Sequence, residues 1–372
     1  MKQFVYADNA ATTQLSQKAY EGMVPYLLNE YGNASQLYSF ARSPKIALRQ
    51  ARESIANCIG ASPEEIYFTS CGTESDNWVV NGAEKQGMPI ITSTIEHHAI
   101  LRPCEQAKDE GCKVAYLPVS NSGVVLEAEN TIRKFSSRGL MTVMTANNEI
   151  GTIQPIEELV KIAHERGWLF HTDAVQAVGH MPINVHDWEV DMLSASAHKF
   201  NGPKGIGFLY IRKGIRWPPF MKGGNQEKGC RAGTENVASI VGMAIALEEN
   251  TCMMKQNLGN LRCMEKHLMD RLNNAGINYV RNGSPKHLLG NISLSFPNFE
   301  GEVLLHRLDL MGIYVSTGSA CDSKNTQISH VLKAIGLNDV MAKGTIRISL
   351  GRFNTISDVD VLANGICQIV NI

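Results

Sequence analysis

Several large protein classes are excluded by what the sequence lacks. Its formal net charge is −1, so it has no long-range field that would attract nucleic acid or an anionic membrane surface. It contains no stretch of about 18 uncharged apolar residues, and Asp8 stands where a secretory leader needs apolar residues. We therefore expect a cytoplasmic protein whose partners are small molecules or proteins, with no nucleic acid and no membrane.

Paired cysteine motifs are also missing. The nine cysteines are scattered along the chain, with no Cys-x-x-Cys pair and no zinc-module spacing. This pattern favours free thiols in a reducing compartment, and it predicts no metal site. Most of the cysteines, such as Cys58 and Cys263, lie in apolar or amphipathic contexts, where a cysteine usually acts as a small hydrophobic residue.

The common nucleotide-binding loops are absent as well. Neither Gly-x-x-x-x-Gly-Lys-Ser/Thr nor Gly-x-Gly-x-x-Gly occurs, since the pair Gly205 and Gly207 lacks the third glycine. Nucleoside triphosphates and dinucleotides are therefore not expected as cofactors.

The pattern of apolar residues predicts an α/β fold. From about residue 60 to 210, short apolar runs alternate with helical periodicity, which is typical of β-α-β units around a mostly parallel sheet. One helix is predicted over Ile156 to Arg166, with Pro155 before it and Gly167 after it. Seven strands are predicted, at residues 65–69, 89–93, 113–117, 141–145, 168–172, 192–195 and 206–211.

A second, smaller α+β domain is expected, because 372 residues with 44% apolar content exceed the ~250–300 residues at which single cores stop growing. A long helical stretch runs through Ile240 to Asn273, and strands recur at 291–296 and 344–350. We assign residues 14–252 to the large domain. Residues 1–13 and 253–372 form the small one, which would carry Cys321 and Arg352.

Two residues together indicate a pyridoxal phosphate (PLP) site. Lys199 ends the stretch Ser-Ala-His-Lys, and Asp173 opens Asp-x-x-Gln after an apolar run. PLP enzymes use a lysine that forms a Schiff base with the cofactor and a carboxylate that keeps the pyridine nitrogen protonated. Either residue alone is more often a loop lysine or a helix cap, but the pair favours the PLP interpretation.

A glycine turn between a strand and a helix offers a place for the cofactor phosphate. Gly72 and Thr73 would open that helix, whose free backbone amides can bind an anion. The signal is weak by itself, because many strand-turn-helix units share it. Further along, His97 follows a strand at the sheet edge where ligands collect, and we predict that it contacts the cofactor, whereas His98 faces water.

A substrate carboxylate needs partners, and two motifs supply them. Asn148 lies in Asn-Asn-Glu-Ile-Gly, and Arg352 in Ser-Leu-Gly-Arg-Phe. An amide and a guanidinium that converge would grip a carboxylate, although either residue alone could be structural.

Cys321 lies in a small, polar segment whose composition is typical of a mobile surface loop. The nearby Lys324 would favour its thiolate, the nucleophilic form. Together with the PLP signals, this predicts a nucleophile that reaches the cofactor.

The ordered series of motifs resembles the cysteine desulfurases of the NifS and IscS kind, which belong to the class V aminotransferase group of fold-type I PLP enzymes. The likeness covers essentially the whole chain, from Asp8-Asn9-Ala10-Ala11-Thr12-Thr13 to Ser349-Leu350-Gly351-Arg352-Phe353. It implies a role for each of these residues: Lys199 would carry PLP; Asp173 would bind the pyridine nitrogen and Gln176 the ring hydroxyl; His97 would stack on the ring; Gly72, Thr73, Ser196 and His198 would bind the phosphate; Thr234 would reach the phosphate of the neighbouring subunit; and Asn148 and Arg352 would hold the substrate carboxylate.

The resemblance further implies a homodimer that converts L-cysteine to L-alanine. Cys321 would receive the sulfur as a persulfide and pass it to an acceptor protein for iron-sulfur cluster or thio-cofactor biosynthesis. The same thiol could transiently ligate a shared iron-sulfur cluster. Cys71 departs from the pattern, since the group usually has glycine there, and the chain ends at Ile372 without the tail by which housekeeping members engage their scaffold. We therefore expect a different acceptor.

Two kinds of alternative stay open at this stage. A selenocysteine lyase or an aminotransferase of the same group would share most motifs, although an aminotransferase has no use for Cys321. A sulfur-relay scaffold or a PLP-dependent regulator would not need catalysis. The presence of both Lys199 and Asp173 argues against the scaffold, and the lack of a basic DNA-binding segment argues against the regulator.

Overall fold

The computed structural model describes residues 4–317 and 328–370. In this part of the chain the strands are β1 (Val5–Tyr6), β2 (Ile66–Thr69), β3 (Ile90–Ser93), β4 (Val114–Leu117), β5 (Leu140–Thr142), β6 (Leu169–Asp173), β7 (Met192–Ser196), β8 (Gly207–Ile211), β9 (Val280–Asn282), β10 (Asn291–Ser295), β11 (Ile313–Tyr314) and β12 (Thr345–Ser349). The helices are α1 (Gln17–Leu28), α2 (Arg42–Ile59), α3 (Gly72–Lys85), α4 (His98–Asp109), α5 (Ala128–Ile132), α6 (Ile156–His164), α7 (Val237–Asn274), α8 (Gly301–Leu310), α9 (His330–Ala334), α10 (Asp339–Lys343) and α11 (Ile356–Val370).

A seven-stranded sheet forms the centre of the larger part. Its strand order is β2-β8-β7-β6-β5-β3-β4. Only β8 runs antiparallel to its neighbours β2 and β7, and the other pairs are parallel. The predicted α/β class with a mostly parallel seven-stranded sheet is therefore confirmed, and each strand lies within three residues of its predicted bounds.

The central strands are buried because helices cover both faces of the sheet. Every residue of β3, β5, β7 and β8 is buried. Helix α6 shows how the sequence produces this layer: its apolar positions Ile156, Leu159, Val160 and Ala163 repeat at helical spacing and all lie buried. The sheet therefore stays fixed, and polar residues just beyond its strand ends are held in place.

The smaller part contains an antiparallel sheet of order β12-β10-β9 and the parallel pair β1 and β11. Val5 and Ala7 lie in the same apolar cluster as Leu268, Ile292 and Leu362, so the first residues pack on this part. The helix α7 runs across residue 252, the predicted domain boundary, and that division stays a prediction.

Helix α7 is long and apolar enough, over an 18-residue window of mean hydropathy 1.2, to cross a membrane by length and composition. Half of that window, however, is buried inside the protein. The buried positions include Ile240, Met243 and Leu247, which belong to the core of the larger part. Helix α7 therefore packs as a core helix of the protein.

Candidate active site

A cavity of about 260 Å³ lies beyond the carboxyl ends of β6 and β7, where the helix α3 begins. Ligands of open α/β sheets bind at this edge. Its lining residues are Ala10, Ala11, Cys71, Gly72, Thr73, Asp76, His97, Met144, Asn148, Asp173, Val175, Gln176, Ser196, His198, Lys199 and Arg347.

Most of the residues predicted from the motifs converge here. Nine of them line the cavity: Gly72, Thr73, His97, Asn148, Asp173, Gln176, Ser196, His198 and Lys199. Thr234 and Arg352 line two other pockets. Cys321 lies outside the described residues.

The Lys199 amine is held by the N-terminal segment of the chain. Its Nζ donates hydrogen bonds to the carbonyl oxygens of Ala10 at 2.6 Å and Ala11 at 2.8 Å. The Gln176 Nε2 donates to the same Ala10 oxygen at 3.0 Å. Lys199 follows β7 directly, in a short turn that ends the strand, so the amine is presented at the sheet edge and aimed across the cavity.

Asp173 is the last residue of β6, and 5% of it is exposed. Its Oδ1 accepts a hydrogen bond of 2.9 Å from the Val175 amide. Burial raises the pKa of Asp173 to about 6, while the Val175 hydrogen bond and the Lys199 charge act in the opposite direction. A positively charged group placed against Asp173 would keep this carboxyl ionised.

A second buried acid shares the wall with Asp173. Asp76, on α3, is 1% exposed, and its Oδ1 has no hydrogen-bond partner among the described residues. The nearest basic nitrogen, Nε2 of His171, is 3.8 Å away. Burial and the neighbouring Asp173 charge raise the pKa of Asp76 well above its ordinary range. Two adjacent buried carboxylates are costly, so Asp76 is the acid that stays protonated.

Two histidines at the cavity are neutral. His97 caps the helix α4, because its Nδ1 accepts a hydrogen bond of 3.1 Å from the Ala99 amide. Burial and the Lys199 charge lower the pKa of His97 to about 4. The same two causes lower the pKa of His198 to about 4. Since Nδ1 of His97 is an acceptor, its proton lies on Nε2.

The start of α3 forms a narrow cradle suited to an anion. A Cβ at Gly72 would lie 2.4 Å from Cγ2 of Val175, so only glycine fits there without displacing that side chain. The Ser196 Oγ is buried nearby and has no hydrogen-bond partner among the described residues. An unpaired hydroxyl beside free helix amides fits the phosphate of PLP. With the Lys199 amine and the Asp173 carboxyl, the residues present fit this cofactor.

Only one of the two residues predicted to bind the substrate carboxylate lines the cavity. Asn148 lines the cavity, but Arg352 lines an adjacent pocket, where its Nη2 donates 2.7 Å to Oε2 of Glu249. A different arginine faces the cavity: Arg347 donates from Nη2 to Oδ1 of Asp8 at 2.7 Å and from Nη1 to the Asn148 carbonyl at 3.1 Å. The predicted role of Arg352 therefore requires its side chain to leave Glu249.

Thr234 lies in a pocket with Arg231, Glu227 and the end of β2, apart from the cavity that holds Lys199. The helix start at Thr73 and the Thr234 segment are connected, since Arg231 pairs with Glu74 at 2.8 Å. A contact between Thr234 and the cofactor site of its own chain is not formed.

Sequence reasoning missed Asp76, Arg347 and the Ala10 and Ala11 carbonyls. Asp76 had a signal: it shares helical spacing with Gly72, Val79 and Ala83, all buried, so an acid stood on the buried face. The two carbonyl oxygens gave no signal in the sequence, because every residue has a backbone carbonyl.

The chain is similar to known proteins over nearly its whole length. The family model for aminotransferase class-V matches residues 5–362. A cysteine desulfurase IscS of Methanosarcina thermophila is 45% identical over 372 residues, covering 98% of this chain and 92% of the relative. Another, from Dictyoglomus turgidum, is 46% identical, with 97% and 93% covered.

Solved structures are similar throughout. A NifS-like protein has a TM-score of 0.92 and 38% identity, with 99% of this chain and 100% of that one covered. SspA in complex with cysteine has a TM-score of 0.83 and 34% identity, with 94% and 100% covered.

Proposed function

The chain belongs to the aminotransferase class-V family, and on that premise we propose that it is a PLP-dependent cysteine desulfurase. It removes sulfur from L-cysteine, leaves L-alanine and receives the sulfur as a persulfide on Cys321. The observation that carries the proposal is the placement of the Lys199 amine and the Asp173 carboxyl in one cavity. Relatives named cysteine desulfurase, 45% and 46% identical over nearly the whole chain, support it.

Bound PLP supplies an electron sink that stabilises negative charge on the substrate Cα. The protein's contribution is to hold and move protons around that centre. Lys199 would carry the cofactor, and its amine, once free, would take the proton from Cα. Asp173, ionised, would keep the proton on the pyridine nitrogen, and Gln176 would hold the ring hydroxyl.

The remaining residues orient the bound groups. His97, neutral at physiological pH because its pKa is about 4, would lie on the ring face without adding a charge. Gly72, Thr73, Ser196 and His198 would hold the phosphate. Asn148 and Arg352 would hold the substrate carboxylate, so that the bond to be broken at Cα stays in position.

Sulfur transfer is assigned to Cys321, which lies outside the described residues. Its thiolate attacks the substrate sulfur, and the bond between Cβ and sulfur breaks. The electron pair stays with the carbon, which after protonation leaves as L-alanine. The persulfide then passes its outer sulfur to an acceptor protein that serves iron-sulfur cluster or thio-cofactor biosynthesis.

We propose a homodimer, and exposed apolar residues support it. Large apolar side chains are exposed on α1 and the segment after it, including Leu28 at 68%, Tyr31 at 71% and Leu37 at 97%. Tyr31 also packs edge-on against the exposed Phe40, with 5.2 Å between the ring centroids, and exposed apolar patches indicate a protein contact. A second copy seated there would explain why Thr234 stands outside its own cavity. The cytoplasm is the proposed location, supported by eight unpaired cysteines among the described residues.

The test is to incubate the purified protein with L-cysteine and a reductant and to follow alanine and sulfide together. The Cys321→Ser variant is the matched comparison. Both products from the wild type, with no sulfide from the variant, support a desulfurase that works through Cys321. Alanine without sulfide, or activity only with selenocysteine or a keto acid, would assign the protein to another class V activity.

A further inference from the structure

The buried guanidinium of Arg352 pairs with Glu249 and lies over the ring of Phe353, 4.7 Å from the ring centroid. The Arg352 side chain is 6% exposed, and its Nη2 lies 2.7 Å from Oε2 of Glu249. Its Nε and Nη1 are buried and have no hydrogen-bond partner within residues 4–317 and 328–370. Buried donors without acceptors are costly. A ligand with acceptor oxygens would therefore bind favourably at Nε and Nη1, which the ion pair with Glu249 leaves without a hydrogen bond.

The base of Arg352 is fixed beside the cavity. A Cβ at the preceding residue, Gly351, would lie 2.5 Å from Oδ1 of Asn9, so the Asn9 side chain packs closely on Gly351, and the Asn9 amide donates 3.1 Å to the Ser349 carbonyl. The next residues after Asn9, Ala10 and Ala11, line the cavity and accept the Lys199 hydrogen bonds. The guanidinium is therefore withdrawn from the cavity by its pairing, while its backbone stays within a few residues of the wall.

Glu249 lies on the helix α7. The next residue, Asn250, is 2% exposed and donates 2.7 Å to the Phe200 carbonyl, which anchors α7 directly behind Lys199. Burial raises the pKa of Glu249, but hydrogen bonds from Arg352 and Ser16 together with the Arg352 charge outweigh it and leave the pKa below its ordinary value, so the carboxylate is ionised. Its position is set by a rigid helix rather than by a loop.

We propose that Glu249 is a positioning residue that competes with the substrate carboxylate for Arg352 and thereby sets the affinity for the amino acid. This inference rests on the proposed function, in which Arg352 binds that carboxylate. A guanidinium makes a two-point contact with a carboxylate through Nε and Nη2 or through Nη1 and Nη2. Both modes use Nη2, the nitrogen that Glu249 occupies. A substrate has to displace Glu249 or share Nη2 against a like charge, and either lowers affinity.

The experiment compares Glu249→Gln with Glu248→Gln in the holoenzyme. Glutamine keeps the shape and an acceptor oxygen at 249 but removes the charge that competes with substrate. Glu248 is the matched control, because it neighbours Glu249 on α7 and contacts Ser54 at 3.2 Å instead of Arg352. The dissociation constant of L-alanine, which binds without sulfur chemistry, is measured by calorimetry, and KM and kcat are measured with L-cysteine.

The expected result is a dissociation constant for L-alanine about fivefold lower in Glu249→Gln, with KM for L-cysteine falling more than kcat changes. Glu248→Gln should match the wild type in all three values. A structural ion pair would lower the unfolding temperature of Glu249→Gln without tightening alanine binding, so unchanged or weaker binding overturns the proposal.

A second variant keeps the test decisive if Glu249→Gln folds poorly. Glu249→Asp retains the charge but shortens its reach to Arg352, so tighter alanine binding supports competition and wild-type or weaker binding overturns it. Failure of the proposed function has a different signature: wild-type protein would then form no alanine from L-cysteine, whatever happens at residue 249.

Discussion

The Lys199 amine donates a hydrogen bond of 2.6 Å to the carbonyl oxygen of Ala10, a residue 189 positions earlier in the chain. This contact holds the amine at the wall of the cavity. We expect Lys199→Ala to lose the visible absorbance of the lysine-bound cofactor. We also expect kcat to fall by ~100- to 10,000-fold, the range for losing a positioned general base. Absorbance spectra and sulfide release check both, and a variant with wild-type turnover would contradict the assignment.

Asp173→Asn should stabilise the protein after the cofactor is removed. The pKa of Asp173 rises from 3.8 in the unfolded chain to about 6, so the stability linked to its proton is present below pH 3.8 and is lost as pH rises to about 6. Asparagine keeps the acceptor oxygen without the charge. The gain at pH 8 should be about 3 kcal/mol at most and should vanish near pH 4. Denaturant unfolding at the two pH values checks it, and an equal gain at both would refute the linkage.

His97 combines a helix cap and an aromatic ring, and two substitutions separate them. His97→Asn can still accept the hydrogen bond from the Ala99 amide, so stability should be retained while cofactor affinity falls. His97→Phe keeps a ring but loses the cap, which should cost about 1 kcal/mol with less effect on affinity. Thermal unfolding and cofactor titration measure the two effects. Equal losses of affinity in both variants would show that the ring does not contact the cofactor.

Gly72→Ala should weaken cofactor binding, because the new Cβ would lie 2.4 Å from Cγ2 of Val175. Overpacking of this kind costs ~1–3 kcal/mol, which corresponds to about a 5- to 150-fold loss of affinity. The double variant Gly72→Ala with Val175→Ala removes the clash and should recover most of it. If the double variant binds no better than the single one, the cradle is not limited by Val175.

Leu28→Asp should weaken the proposed dimer. The side chain is 68% exposed at the end of α1, close in sequence to the exposed Tyr31 and Leu37. A carboxylate buried there without a partner would raise the dimer dissociation constant by at least about tenfold. Leu310→Asp, at a residue 81% exposed on α8, is the control. Sedimentation velocity distinguishes the two. Wild-type association by Leu28→Asp would place the interface elsewhere.

Much of the site could be predicted from local sequence. Asp173 ends a strand, and Gln176 and Lys199 follow strands, that the apolar pattern located to within three residues. Parallel strands bring their carboxyl ends to one edge. The Gly72 turn and His97 follow the same rule. For these residues, a position just after a predicted strand was enough to place the side chain at the sheet edge.

The position of the Arg352 side chain could not be predicted from local sequence. Its motif predicted a place beside Asn148, yet its guanidinium pairs with Glu249, a residue 103 positions away on α7. Arg347 faces the cavity instead. No periodicity distinguishes these two arginines, because the choice depends on which acid lies within reach: Asp8 for Arg347 and Glu249 for Arg352.

The sequence by itself determined the α/β architecture, the order of the strands along the chain and most of the chemical groups that meet at the sheet edge, since these follow from apolar periodicity and strand-end position. Only the tertiary structure decided how those groups are charged and held. The protonated state of Asp76 beside Asp173, the grip of the Ala10 carbonyl on Lys199 and the withdrawal of Arg352 by Glu249 all arise from contacts between distant segments. Burial and the distance between charges set these properties, and neither quantity can be read from the spacing of residues along the chain.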